Sequence, residues 1–261
     1  MPFTSRYVTV ELMENKKILP ILFSLVLLSL VASCTARING ALLADGQADL
    51  NVYAALEPRM TLLIGGIAAA SGMASPGAPL LSGPSISTSM SAAPGVASAS
   101  LVNRTPAAVE GPVKISRLSD FLAPGMTGSA TAGNSGGFIS FEQGAPSQGG
   151  RCSINLNLAS GPDILALLSP EISDYLAALM APLATGEGMT KVEYLGLVGS
   201  VYGRGIADEI AQANIRASID LPGQVQSVRG GTFSGRRAEF VIPLLDLLVL
   251  ETPLSYEIRW R

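Results

Sequence analysis

Ile18 to Ala32 is a run of fifteen residues without a charge, and it ends just short of Cys34. It decides which part of the 261-residue chain can fold as a body. Lys16 and Lys17 precede it, and the small residues Ala32 and Ser33 follow Val31 at its end. A positive start, an apolar core of roughly 7–15 residues and small residues at the cut are the marks of a secretory leader. A spanning helix needs about 20 apolar residues, and this run is shorter and holds Pro20. Residues 1–33 are therefore predicted to be a signal peptide, and 34–261 a single domain. Met13 opens a conventional short leader, MENKKILP, while Glu11 sits where no leader needs it. Translation is expected to begin at Met13.

Val31-Ala32-Ser33-Cys34 resembles the lipobox of bacterial lipoproteins. The resemblance implies cleavage before Cys34, acylation of its thiol with palmitate-like chains, and attachment of the body to a membrane. Each buried methylene adds roughly 0.8 kcal/mol, and one chain alone holds only marginally, so several chains on Cys34 would make the attachment durable. The expected location is the cell envelope. Thr35-Ala36 carry no aspartate after the cysteine, and inner and outer membrane both stay open. An uncleaved leader acting as the anchor is the other reading.

Charge narrows the function classes. Residues 34–261 hold 14 Lys and Arg against 18 Asp and Glu, a net charge of -4, and 12 of the 14 cations are Arg. Nucleic-acid binding favours a strongly basic surface, so no nucleic-acid partner is expected. The chain has no histidine, which removes Ser-His-Asp and Cys-His catalysis and the commonest zinc ligand. After cleavage the only lysines are Lys114 and Lys191, and neither lies in an SxxK motif. Asp208-Glu209 reads as a solvated helix face. The expectation is a non-enzymatic protein with no metal and no cofactor. Cys152 alternates with Ile154 and Leu156, which places it in a buried strand without a disulfide partner.

The remaining pattern alternates between strands and helices. Two strand-like runs flank Asp45-Gly46, a strong hairpin signal. Pro58 to Ala70 has helical spacing at Met60, Leu63, Ile64 and Ile67. Residues 71–95 are rich in Ser, Pro and Gly and are expected to be a flexible uncharged loop, with a short helix around Ile86–Met90. No ionisable side chain occurs from Met60 to Asn103. Val96–Val102 and Val113–Leu118 read as strands joined by the turn-rich NRTPAAVEGP, and residues 124–137 as a Gly-rich loop. Phe138–Phe141 and Cys152–Leu158 read as strands. Ser169 and Pro170 suit the start of a helix carrying Tyr175, Leu176 and Leu179. Thr190 and Glu193 form a capping box for a helix carrying Tyr194 and Tyr202, whose Gly196, Gly199 and Gly203 imply either close approach of another element or a break near 203–205. Ile215–Ile219, Val225–Arg229 and Arg237–Ile242 read as strands, the last two as a hairpin around GGTFSGR. Pro243 opens a short helix through Leu248. Leu254, Tyr256, Ile258 and Trp260 share one face of a final strand. The tyrosines and Phe138 and Phe141 read as core.

The segment Ala213–Trp260, with IRASIDLPGQVQSVRGGTFSGRRAEFVIPLL, resembles the LppM-type bacterial lipoprotein domain, and residues 34–261 as a whole are similar to spirochaete lipoproteins of unassigned function. The likeness implies a lipid or glycolipid groove in an α+β domain. The pattern itself predicts α+β: a mostly antiparallel sheet with helices packed on one face. Arg229, Arg236 and Arg237 are expected near one hairpin tip, where the planar guanidinium suits phosphate and hence an anionic lipid headgroup. Two functions stand open: an envelope lipoprotein that binds lipid or another amphiphile between sheet and helices, and a structural lipoprotein that meets a protein partner in envelope assembly. An enzyme of unknown type stands third. A cavity beside 71–95 would favour the first.

Overall fold

The computed structural model describes residues 34–70, 79–118, 138–143, 149–165 and 175–261. Within them the chain is α+β and its strands are mostly antiparallel, as the pattern predicts. The strands divide into two sheets rather than one.

The larger sheet contains β1 (Cys34–Leu42), β2 (Ala48–Leu56), β3 (Val96–Ala99), β4 (Val102–Thr105), β5 (Ala108–Ile115), β8 (Asn214–Asp220), β10 (Gly231–Ser234) and β11 (Arg237–Pro243). Its order is β10-β11-β8-β1-β2-β5-β3, with β4 also on β5. The smaller sheet has the order β6-β7-β12-β9, from β6 (Ile139–Gln143), β7 (Gly150–Leu156), β12 (Leu254–Trp260) and β9 (Val225–Arg229). Among the described strands only β1 and β8 pair in parallel, and the long stretch between them supplies the crossover that a parallel pair needs.

Register sorts the large sheet into an apolar and a polar face. Ala36, Ile38 and Leu42 of β1 stand opposite Ala54, Val52 and Ala48 of β2, and Ile215, Ala217 and Ile219 of β8 continue the row. The other face carries Arg37, whose guanidinium lies 4.8 Å over the Tyr53 ring, with Asn39, Asp49 and Arg216 exposed beside it. One solvated face and one packed face is the usual state of an antiparallel sheet.

The apolar face has two covers. Ala36, Val52, Ala54 and Ile215 share a core with helix residues Met60, Ile64, Ile206 and Ile210. These helices are α1 (Pro58–Ala70) and α6 (Arg204–Gln212). Towards the Leu42 end of β1 the same face looks across at the smaller sheet. The other helices are α2 (Gly83–Ser91), α3 (Gly161–Leu165), α4 (Pro182–Thr185), α5 (Lys191–Tyr202) and α7 (Leu244–Val249).

Local signals account for the helix ends. Thr190 Oγ1 accepts the Glu193 N–H at 3.2 Å, and Glu193 accepts the Thr190 N–H at 2.8 Å, which is the predicted capping box. Of the two readings of the helix glycines, a break is found, at Gly203, whose φ of 92° lies where L side chains are strained. It separates α5 from α6. Tyr194 is fully buried and its hydroxyl donates to the Leu179 carbonyl. The hydroxyl of Tyr202 donates to the Ala178 carbonyl. Within 71–95, Ser82 caps α2, with Pro84 in its first turn.

Four expectations need correction. NRTPAAVEGP is no loop: it forms β4, a turn at Pro106-Ala107 and the start of β5. Thr105 Oγ1 accepts the Ala107 N–H across that turn, and Arg104 pairs with Glu110 beside it at 2.8 Å. The Asp45-Gly46 hairpin is longer than two residues, since Leu42 pairs with Ala48. Val225–Arg229 and Arg237–Ile242 are not partners. β11 pairs with the interposed β10, and β9 leaves for the other sheet to pair with β12. Glu209 does not face solvent freely: its carboxylate accepts the N–H groups of Arg59 and Met60 at 3.1 and 3.0 Å and so caps α1 from another helix. The signal peptide 1–33, the loop 124–137 and the helix start at Ser169-Pro170 lie outside the described residues.

Candidate functional site

Strand alternation makes the two inner faces apolar, and between them the sheets leave a cavity of about 250 Å³. The smaller sheet supplies Phe141, Cys152, Ile154, Tyr256, Ile258 and Trp260. From β1 and β2 come Leu42, Ala48 and Leu50, and from β8 Ala217 and Ile219. Phe240 and Ile242 of β11 stand beside them. No polar surface faces the space. A buried water needs two to four polar partners, so these walls hold water poorly.

One end of the cavity is sewn shut. After β8 the chain crosses from one sheet to the other through Leu221 and Gln224. There Gln224 N–H donates to the Arg261 carbonyl at 2.8 Å and Arg261 N–H returns the bond at 2.9 Å. Val225 N–H donates to Gly235 O at 3.0 Å. Against this seam sit Trp260, Leu42 and Leu221, each buried. Gly150 makes room for the indole: a Cβ there would lie 2.2 Å from Trp260 Cζ2. Trp260 also meets Phe141, with ring centroids 6.2 Å apart. A second aromatic pair, Phe240 and Tyr256, joins the sheets edge to face at 5.9 Å.

The cavity offers little for bond-making chemistry. Burial pushes the Cys152 thiol up to about 11, so roughly one molecule in ten thousand is thiolate at pH 7. The charged groups nearby are engaged with one another. Glu257 accepts from Arg151 at 2.8 Å and from Arg259 at 2.5 Å, and these bonds hold its carboxyl below the usual range. Lys191 pairs with Asp246 at 2.9 Å. Among the described residues no three His, Cys, Asp or Glu side chains gather to hold a metal.

The structure keeps Arg236 and Arg237 together at the β10–β11 turn and sets Arg229 apart from them. Arg237 binds Asp220 through two hydrogen bonds, at 2.9 and 2.7 Å, and this holds the Asp220 carboxyl below its ordinary value. Arg236 Nε donates to the Leu221 carbonyl at 2.8 Å. Arg229 stands on the smaller sheet, in register with Glu257. It lies at the far end of β9 from the β10–β11 turn, roughly 13 Å along the strand. The cavity also sits elsewhere than expected. It lies between two sheets rather than between sheet and helices, and no described residue of 71–95 lines it. Cys34 is the first residue of β1 and pairs with Leu56, so no described linker separates it from the folded sheet. Val31, Ala32 and Ser33 lie outside the described residues. No helix among the described residues is long and apolar enough to cross a membrane.

The molecule thus belongs to the broad class of α+β proteins with an apolar cavity between packed layers. No protein-family model matches the chain, and no curated protein does. Among solved structures it is similar to the folded domain of the Mycobacterium tuberculosis LppM protein, determined by NMR. The likeness covers 88% of this chain and 90% of that one, at 12% identity and a TM-score of 0.39. It is a distant relation of fold.

Proposed function

We propose that this chain is a non-enzymatic lipoprotein of the cell envelope, held at a membrane by acyl chains on Cys34, whose inter-sheet cavity binds the hydrocarbon part of a lipid or other amphiphile. The observation that carries the binding reading is the 250 Å³ space with no polar surface. A dry cavity of about 150 Å³ already takes up benzene, and drug-sized sites begin near ~300 Å³. Apolar wall left facing water costs about 25 cal/mol per Å², and this cavity opens to solvent. A ligand that fills it recovers part of that. The tether rests on the leader pattern that ends at Cys34.

Two measurements test the two halves. Radiolabelled palmitate fed to growing cells should enter the wild-type chain and not Cys34→Ala, and its failure to enter removes the tether. Solvent extraction of the purified full chain should release a non-covalent lipid, while covalent anchors stay on the protein. An extract empty of lipid, together with no uptake of fluorescent fatty acid, removes the binding reading and favours a lipoprotein that works through a protein partner.

A further inference from the structure

We infer that the cavity takes a single acyl chain, tail first, with the terminal methyl against the indole of Trp260. This deepens the lipid-binding reading and rests on it. Four features of the site carry it.

Volume limits the occupant to one chain. A methylene occupies about the share of one liquid water, ~30 Å³, so 250 Å³ encloses about eight carbons. Two chains side by side would leave most of each outside. Chemistry sets the direction. No polar surface faces the space, and a carboxylate or phosphate there would lose its water with no partner in return. The head must stay outside, so the tail enters.

The seam sets where the tail stops. The crossing between the sheets at Leu221–Gln224 is closed by the paired bonds between Gln224 and Arg261. Trp260, only 4% exposed, fills the floor in front of it, with Leu42 and Leu221 beside it. Gly150 is the fourth feature. Its missing side chain leaves room for the indole of its cross-strand partner Trp260, and a Cβ would displace the ring. Trp260 therefore fixes how many carbons are covered, which makes it a determinant of chain length.

Trp260 is the only tryptophan in the sequence, so its fluorescence reports on this floor alone. The full chain, reconstituted in phosphatidylcholine vesicles, is titrated with dodecanoic acid brominated either at carbon 12 or at carbon 2. Alkylation of Cys152 on the cavity wall is followed in parallel. The expected result is strong quenching by the 12-bromo acid, little by the 2-bromo acid, and slower Cys152 alkylation with both. Equal quenching by the two acids, or stronger quenching by the 2-bromo acid, overturns tail-first entry while leaving lipid binding intact. Neither quenching nor protection of Cys152 overturns both readings. Across saturated acids of increasing length, affinity should climb about fourfold per methylene and level off at about nine carbons, about eight enclosed and the carboxyl outside. In Trp260→Ala, read through Cys152 protection, the levelling should move to longer chains by two carbons or more. Leu42→Ala at the same end provides the second variant should loss of the indole unfold the protein. An unchanged levelling point in a folded variant removes the floor from the proposal.

Discussion

Cys152 shows how much one side chain reveals of its surroundings. Its alternation with Ile154 and Leu156 is enough to predict a buried strand position, and the structure places it on β7 facing inward. The thiol is raised to about 11 because the apolar walls disfavour the thiolate. Alkylation proceeds through the thiolate. At pH 8 the folded chain should therefore react with a small maleimide on the order of a hundredfold more slowly than an unfolded control, whose thiol titrates near its ordinary 8.5. The rate should rise about tenfold per pH unit between pH 8 and 10, while the control levels off above pH 9. A folded-state rate that levels off near pH 9 would show that the walls are wet. Trp260 was legible in the same way, since alternation puts it with Leu254, Tyr256 and Ile258. Its place at a closed end was not legible, because the seam that closes that end joins Gln224 to Arg261, far apart in sequence.

At the scale of elements, the readable features are those whose partners lie a few residues away. The capping box of α5 spans four residues, and the break at Gly203 needs only its own backbone. The cap of α1 is the contrary case. Pro58–Ala70 has no acidic residue in its first turn, and Glu209, far along the chain, supplies the acceptor for its first N–H groups. Sequence spacing cannot find such a partner. Four N–H groups are left free at any helix start, and losing a side-chain cap costs about 0.5–2 kcal/mol. Glu209→Ala should lower unfolding stability in urea by about 1 kcal/mol, and Glu209→Gln, which keeps an acceptor, by less. Asp208→Ala, at an exposed position on the same helix, should change it little. Equal losses at 208 and 209 would mean that general helix charge, and not the cap, is responsible. The division of strands between sheets escapes sequence for the same reason. β9 has the alternation to pair with β11, but β10 takes that edge first through its tight turn at Gly235-Arg236. β9 is left to find β12, about thirty residues on.

At the scale of the whole molecule, the question is whether the space between the sheets is kept for an occupant or is merely imperfect packing. Protein interiors are close-packed, and a filled core and an open one respond oppositely to added volume. Overpacking a filled core costs about 1–3 kcal/mol, whereas filling a void stabilises by about 0.5–2 kcal/mol. Ala217 sits centrally on β8, lines the cavity and stands between Ile38 of β1 and Phe240 of β11. Ala217→Leu should therefore raise the ligand-free melting temperature by about 2–4 °C, the shift expected for about 1 kcal/mol in a domain of this length. It should at the same time remove the gain that a ligand gives. Saturating fatty acid at a hundred times its dissociation constant stabilises the binding form by about 2.7 kcal/mol, so wild type should melt higher with ligand and Ala217→Leu should not. The two effects must appear together, because both follow from the same volume. A variant that is destabilised without ligand would show that the sheets already close on one another, and the protein would then have to act through its surfaces. A variant that is stabilised yet still gains from ligand would place the binding site elsewhere on the molecule.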